Sequence, residues 1–152
     1  MPGGRTEPGP NDALTVAKLA LTVDGVELAQ FSDLVELSSG ADPYELTSGP
    51  AKKGAAAKKL PGKRTPPTVT LKRGASNDLG VFAWHGDALS RRAARKDAVL
   101  VMYDVQGRPV ARYHLKSAWP AKVVVSGQKA GASQVLFETV TLACDGIERV
   151  SA

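Results

Sequence analysis

The chain has 152 residues, which is enough for one domain with a sizeable core and too few for two. Its apolar fraction of 43% and charged fraction of 23% are ordinary globular values, and the single cysteine, Cys144, excludes an internal disulfide. The sequence has no apolar run of about 18 residues, which excludes a membrane-spanning helix. Residues 1–13 are rich in Pro and Gly, so we expect a disordered arm without a secretory signal, followed by one domain over residues 14–152.

The formal charge of +5 is concentrated in one segment, residues 51–64, which contains six cationic and no acidic residues. Without these six cations the formal charge of the chain is −1, so the whole surface is not basic. A solvated loop, contact with an acidic neighbour in an assembly, and sequence-independent binding of nucleic acid or another polyanion all fit this segment. No aromatic residue lies between the cations, so the segment offers no base stacking. The six cations are Lys52, Lys53, Lys58, Lys59, Lys63 and Arg64.

The first predicted element is a hairpin. Asp24-Gly25 lies between β-prone runs, and this dipeptide suits a type I′ turn because both of its residues accept a positive φ. We therefore predict strands near 15–23 and 26–37. Residues 38–67 contain so many Gly and Pro residues that the sequence predicts a long irregular loop. A loop of this length is uncommon inside a compact domain, and contact with a neighbouring subunit would account for it.

A strand is expected over 68–74, followed by a helix over about 78–91 that Ser76 or Asn77 could cap. The helix has two apolar faces, which requires cover on both sides. We expect one face to pack on the sheet and the face centred on Trp84 to meet another subunit or an overlying loop. The first face holds Leu79, Phe82, Gly86 and Leu89, and the second holds Val81, Trp84 and Ala88.

A second hairpin is predicted over 97–115 with its turn at Gln106-Gly107, and residues 118–127 are expected to form another strand or an extended segment. The last long strand, from residue 134, is apolar on both faces, which points to a sheet that an assembly covers. The whole pattern predicts a mainly β protein. We expect an antiparallel barrel or sandwich of six or seven strands with one flanking helix and a long loop.

Motifs for catalysis and metal binding are missing from the sequence. His85 and His114 have no partners at metal-ligand spacing, and neither phosphate-loop pattern occurs. Asp24, Asp104 and Asp145 all lie beside or near glycine, where hairpin chemistry explains them. We therefore predict no metal, no cofactor and no enzymatic activity, with Cys144 as a small buried hydrophobic residue.

Five segments in fixed order resemble the tail tube protein family of contractile-tailed phages and extracellular contractile injection systems. The resemblance covers about residues 16–147, whereas the stretch AKKGAAAKK is longer and more basic than the family pattern. The segments are FSDLVEL, KLPGKRTPPTVTLKRG, LGVFAWH, RKDAVLVMYDVQGRPVARYHLKSAWP and SQVLFETVTLACDGIER.

The resemblance implies a structural protein that forms sixfold rings. The rings would stack into a hollow tube, with a barrel shared around the lumen and the helix outside. It implies a contractile sheath, baseplate or hub proteins, a terminator and lumenal cargo as partners, with nucleic acid only in a phage. Synthesis and assembly would be cytoplasmic, in a particle that stays in the cell or leaves it by lysis.

The same resemblance suggests where subunits touch. The helix with Trp84, Arg91 and Arg92 would face outwards, segment 51–64 would contact the next ring, and strands 26–37 and 134–144 would close the ring. The ring-closure residues are Phe31, Leu34, Val135, Phe137 and Val140. Two other functions remain open: a small basic barrel that binds nucleic acid or another polyanion, and a ring protein of the type VI secretion kind.

Overall fold

The computed structural model describes residues 9–46, 58–90, 95–127 and 135–152, and the side chains of 42–46 and 58–61 are not described. These ranges hold eight strands and one helix. In chain order they are β1 (Lys18–Val23), β2 (Val26–Phe31), β3 (Asp33–Leu46), β4 (Lys58–Gly74), α1 (Gly80–Leu89), β5 (Lys96–Tyr103), β6 (Pro109–Ser126), β7 (Phe137–Ala143) and β8 (Gly146–Val150). Residues 1–8 of the predicted arm lie outside the described part, and residues 9–13 are exposed.

All strand pairs are antiparallel, in the order β2-β1-β5-β6-β7-β4-β3, and β8 pairs with β6. The mainly β class with one helix is thus confirmed, with eight strands rather than six or seven. β6 connects two halves of the sheet, because it pairs with β5 as far as Ala118 and with β7 from Trp119. Next to the point where β6 changes its pairing partner from β5 to β7, Ser117 has a φ of +49°, and its N–H donates to Asp97 Oδ1 at 3.0 Å.

The two predicted hairpin turns are present. Asp24 and Gly25 have φ of +51° and +79°, as a type I′ turn requires. In the second turn the Asp104 carboxylate accepts the backbone N–H groups of Gln106 and Arg108, each at 2.9 Å. The backbone N–H of Arg108 is the main cause that lowers the pKa of Asp104, because it stabilises the charged carboxylate.

The expectation of an irregular loop over 38–67 is wrong for the described residues. β3 continues to Leu46 and β4 begins at Lys58, and the two strands form one long hairpin. Three register shifts interrupt the pairing, at 34–36, 38–40 and 41–43. Such bulges allow proline and glycine inside a strand, which is why their abundance did not prevent pairing. Residues 47–57 lie outside the described part.

The core is formed mainly by side chains of β1, β2, β4, β5, β6 and β7, and α1 adds Val81 and Trp84. Its largest fully buried side chains are Leu19, Leu21, Val69, Leu71, Val81, Leu100, Leu115, Pro120, Val140 and Leu142. β7 alternates strictly between buried and half-buried residues, so only one of its faces is in the core. The other face is half-buried in the single chain, and its predicted cover by an assembly stays a prediction. Cys144 is buried, as predicted, and burial raises the pKa of its thiol to about 11.

Candidate assembly surfaces

The helix places its two apolar faces opposite to the sequence expectation. Val81 and Trp84 are buried in the core cluster, with Trp84 only 6% exposed. The other face points away from the protein, since Leu79 and Leu89 are 69% and 68% exposed and Phe82 is 41% exposed. The large indole removes more apolar surface from water than a leucine does, which favours burying the Trp84 face. The apolar surface open to a partner is therefore formed by Leu79, Phe82 and Leu89, which we call the outer helix face.

A polar contact fixes the helix on the sheet. His85 is half-buried, and its Nδ1 lies 2.7 Å from the Pro120 carbonyl oxygen of β6. A neutral ring protonated at Nδ1 and a charged ring both donate this bond. The contact ties α1 to the point where β6 moves from one half of the sheet to the other, which holds the outer helix face in a fixed orientation. His114 is an exposed residue of β6, which agrees with its predicted place in a strand.

The start of α1 differs from the prediction. No side chain caps it, so neither Ser76 nor Asn77 has the expected capping role. Instead, Ser76 Oγ accepts the Asp78 N–H at 3.2 Å and Asp78 Oδ1 accepts the Gly80 N–H at 3.0 Å, which shapes the turn before the helix. Arg91 and Arg92 lie outside the described residues. Their assignment to an outward surface stays a prediction.

Three strands have an open edge among the described residues: β8 pairs only with β6, and the other two are the strands at the ends of the sheet order. β2 pairs only with β1, and β3 pairs only with β4, so each has an outer edge without a strand partner among the described residues. These strands lie at the two ends of the sheet order, although they follow each other in the chain at Ser32. An open edge presents unpaired backbone N–H and C=O groups, which is a template for pairing with another chain.

The residues predicted to close the ring have different positions. β7 is paired with β4 and β6, so within the described chain both of its edges are occupied and it cannot extend the sheet. Phe31 and Val140 are buried in the core, at 3% and 0% exposure. Phe137 is half-buried and its ring lies 4.3 Å from Lys72 Nζ. Leu34 and Val135 are open to contact, at 38% and 61% exposure.

One face of the sheet is lined by hydroxyl groups. Thr68 and Thr70 of β4 lie beside Thr139 and Thr141 of β7, and the hydroxyls of Thr70 and Thr141 are 3.3 Å apart. All four are half-buried, whereas the residues between them belong to the core. Lys72, Lys122 and Glu36 lie opposite these threonines in register, and Asp33 lies opposite Lys72. We call this surface the threonine face; it also contains Ser38 and the apolar residues Phe137 and Val124.

A buried charge cluster lies beside the β2 edge. The Arg73 guanidinium is 3.4 Å from Glu138 Oε1 and 3.6 Å from Asp78 Oδ2, and Arg73 and Glu138 are 6% and 2% exposed. Arg73 Nη2 also lies 3.4 Å from the Asp78 carbonyl oxygen, and Nε has no acceptor among the described residues. Good charge-assisted hydrogen bonds are about 2.7–2.9 Å long, so the hydrogen-bonding capacity of the Arg73 guanidinium is only partly used. Sequence reasoning missed the cluster, because an arginine and a glutamate on strands normally face solvent.

The basic segment is only partly described. Lys63 and Arg64 are exposed on β4, and the backbones of Lys58 and Lys59 pair with β3. Lys52 and Lys53 lie outside the described residues. These four residues, all in β4, belong to a long hairpin rather than to a loop, so strands would form their predicted contact with another ring. That contact itself stays a prediction.

The described residues contain no group of three or more His, Cys, Asp or Glu side chains that could hold a metal ion. Within the same ranges, no helix has both the length and the apolar character needed to cross a membrane. The described chain offers several surfaces for contact with other molecules: the open edges of β2, β3 and β8, the outer helix face and the threonine face.

Solved structures share this fold. One chain in the sheath–tube complex of an extracellular contractile injection system, PVC, in the extended state is 16% identical with a TM-score of 0.76 over 94% of this chain and 95% of that one. One in the anti-feeding prophage tube-terminating cap is 17% identical with a TM-score of 0.75 over both full chains. Hcp1 from Flavobacterium johnsoniae is 13% identical with a TM-score of 0.50, over 88% and 95% of the two chains.

No curated protein sequence matches this chain significantly. A family model does match it: the T4-like virus tail tube protein gp19 model fits residues 17–148. These residues contain all of the described strands except the end of β8, and they include the helix and the open edges of β2 and β3. The match thus spans the whole folded unit rather than one motif within it, and the chain belongs to the T4-like virus tail tube protein gp19 family.

Proposed function

We propose that the chain is the inner-tube subunit of a contractile injection system or phage tail, in which hexameric rings stack around a lumen. Its role is structural, with no catalytic step. The observation that carries the proposal is the tail tube family match over residues 17–148. The open edges of β2 and β3 support it, because a subunit with an unpaired edge at each end of its sheet order can join copies head to tail.

In this proposal β2 and β3 close the ring, and β7 does not. The predicted ring-closure segment 26–37 contains β2 and the start of β3, whose outer edges are open. Head-to-tail contacts of this kind form a closed ring if the rotation between copies closes and a filament if it does not. Sixfold closure is part of the proposal.

The threonine face suits the lumen. A bore that lets a passing molecule slide needs a surface that is polar and has no net charge to hold the molecule. The face has small hydroxyl side chains, equal numbers of lysines and acids, and two apolar residues, Phe137 and Val124. Strongly basic walls would retain nucleic acid or an acidic protein through their charge. We therefore propose a lumen of near-neutral charge that carries cargo without binding it tightly.

The remaining surfaces suit contacts with other rings and with the sheath. Leu79, Phe82 and Leu89 form an exposed apolar surface on α1, and we propose that it contacts the sheath in place of the predicted Trp84. The hairpin of β3 and β4, with segment 51–64, would contact the next ring. Reversing the charge at Lys58 and Lys59 should then weaken ring stacking, and tubes of normal length from that variant would disprove this contact. Baseplate and terminator proteins are proposed partners because chains of similar fold occur in such assemblies.

Negative-stain electron microscopy of the purified chain, together with its mass in solution, tests the proposal. Sixfold rings or hollow tubes are expected. Rings that never extend into tubes would favour a protein of the type VI secretion kind. A monomer that binds DNA or heparin with an affinity that falls steeply with salt would instead support the polyanion-binding alternative and refute the tube.

A further inference from the structure

The pairing of β4 with β7 repeats every two residues. On the core face, apolar residues of the two strands lie opposite each other in fully buried pairs, Val69 with Leu142 and Leu71 with Val140. On the threonine face, Thr70 lies opposite Thr141. Because side chains alternate between the two faces of a sheet, a shift by two residues keeps each side chain on its own face. Apolar residues would then still meet apolar residues, since Val69 would face Val140 after a shift in one direction.

One pair of residues breaks this repeat. Arg73 and Glu138 lie opposite each other on the core face, both buried, and among the described residues the Glu138 carboxylate has no other hydrogen-bond or ion-pair partner. A shift by two residues would place Glu138 opposite Leu71 or Ala75 instead of Arg73. Because a broken buried ion pair is strongly destabilising, we expect the shifted alignments to be about a hundredfold or more less populated than the native one.

We propose that the Arg73–Glu138 pair is a register lock, which allows β4 to pair with β7 in one alignment only. Apolar residues of similar volume would stabilise these core positions as well as an ion pair does, so the choice of alignment is what the two charges add. The neighbouring pairing of β3 with β4 contains three register shifts, so regular pairing alone does not fix the alignment in this half of the sheet.

The register lock sets the position of the long hairpin of β3 and β4. A shift by two residues moves β4 by about 7 Å along β7, and β3 moves with β4 because the two strands are paired from Asp33 to Leu46. The exposed cations Lys63 and Arg64 belong to the moving hairpin. The register lock does not depend on the proposed tube function, whereas its consequence for ring stacking does, because the hairpin is the proposed contact with the next ring.

Disulfide trapping measures the register. A cysteine in place of Thr70 is combined with a second cysteine in place of Thr139, Thr141 or Ala143, three half-buried residues on the same face of β7. Residues directly opposite each other have Cβ atoms about 4.5–5.5 Å apart and diagonal neighbours about 7–8 Å apart, whereas a disulfide needs about 3.5–4.5 Å. The Thr141 partner therefore reports the native alignment, and the Thr139 and Ala143 partners report the two shifted alignments. Cys144 contributes little background, because it is buried with a pKa of about 11.

In the parent chain, mild oxidation should close only the disulfide between Thr70→Cys and Thr141→Cys, as read by mass spectrometry of unreduced peptides. In the double variant Arg73→Met with Glu138→Leu, the yield of at least one shifted disulfide should rise roughly tenfold or more. Lys72→Met removes a charge from the other face of β4 and is the control, which should keep the pattern of the parent. A double variant that forms only the native disulfide would overturn the proposal. One that fails to fold would overturn it too, because the pair would then be needed for stability rather than for the alignment.

Electron microscopy of the same variants separates the register lock from the tube function. The double variant should lose tube formation, whereas the Lys72→Met control should keep it. Normal tubes from a double variant with shifted disulfides would overturn the link between the register lock and ring stacking. A parent chain that never assembles would overturn the tube function, and the disulfide pattern would still decide whether the register lock exists.

Discussion

Replacing Glu138 with leucine should destabilise the monomer, because it leaves the Arg73 guanidinium buried with only one acidic partner. Removing one member of a buried ion pair costs about 3–5 kcal/mol. The contacts of 3.4 and 3.6 Å are long, and Asp78 remains as a partner, so the lower end of this range applies, about 3 kcal/mol. For a chain of this length the loss corresponds to a melting temperature lower by roughly 9 °C.

Urea unfolding, followed by tryptophan fluorescence on chain kept monomeric, measures this loss. The double variant Arg73→Met with Glu138→Leu removes both charges and should return to within about 1 kcal/mol of the parent, because apolar residues of similar volume replace a buried ion pair without penalty. Arg95→Ala breaks an ion pair of the same 3.6 Å length, but its two side chains are 64% and 63% exposed, so its cost should stay below about 1 kcal/mol. A single-variant loss as small as that of Arg95→Ala, or a double variant less stable than either single one, would refute the reasoning.

Three further perturbations test other parts of the fold. Ser117→Gly should raise the unfolding free energy by roughly 0.5–1 kcal/mol, since the +49° φ of Ser117 strains a residue with a Cβ; a lower melting temperature would contradict this. The lowered pKa of Asp104 means that its contribution is complete above the unfolded value of about 3.9 and is lost as the pH falls through the folded pKa. Asp104→Asn should therefore weaken the pH dependence of urea unfolding below pH of about 4, and an unchanged profile would count against it. Trp84→Ala should cost about 3–5 kcal/mol in urea unfolding, whereas Leu89→Ala on the outer helix face should cost under about 0.5 kcal/mol; similar losses would mean that the helix faces are assigned wrongly.

The hairpins could be predicted from the sequence because their chemistry is local. Asp24-Gly25 and Gln106-Gly107 supply residues that accept a positive φ, and the structure has +51°, +79° and +79° at Asp24, Gly25 and Gly107. A turn of two residues also sets the register of its strands, since Val23 must pair with Val26. No knowledge of distant residues was needed for these assignments.

The long hairpin of β3 and β4 could not be predicted in this way. Pro43 pairs with Pro61 in its register, and neither can donate a backbone N–H to the ladder. Local rules therefore favour a loop over 38–67. Only the pairing of β4 with β7 over 68–74 shows that this segment continues from a strand of the sheet. Pairing between residues distant in the chain outweighs local propensity here.

Burial of the helix and of β7 shows a second limit. Periodicity identified two apolar faces on α1, but the pattern does not state which face meets the sheet. In β7 the polar residues Thr139 and Thr141 lie on either side of the buried Val140. This alternation of polar and apolar residues is typical of a strand with only one buried face. The flanking Val135 and Leu136, 61% and 49% exposed, concealed that alternation in the sequence.

The low identity of 16–17% at a TM-score near 0.75 is understandable from what this fold requires. The buried positions of the sheet need apolar side chains of suitable volume rather than particular residues. If rings close by strand addition, the contact uses backbone groups that every residue possesses, so it supplies affinity without constraining sequence. Specificity between copies must then come from exposed side chains beside the edge, and Glu27 and Gln30 of β2 are residues that could supply it. The exchange of these residues between two tube proteins, rather than of their cores, should therefore decide which subunits assemble together.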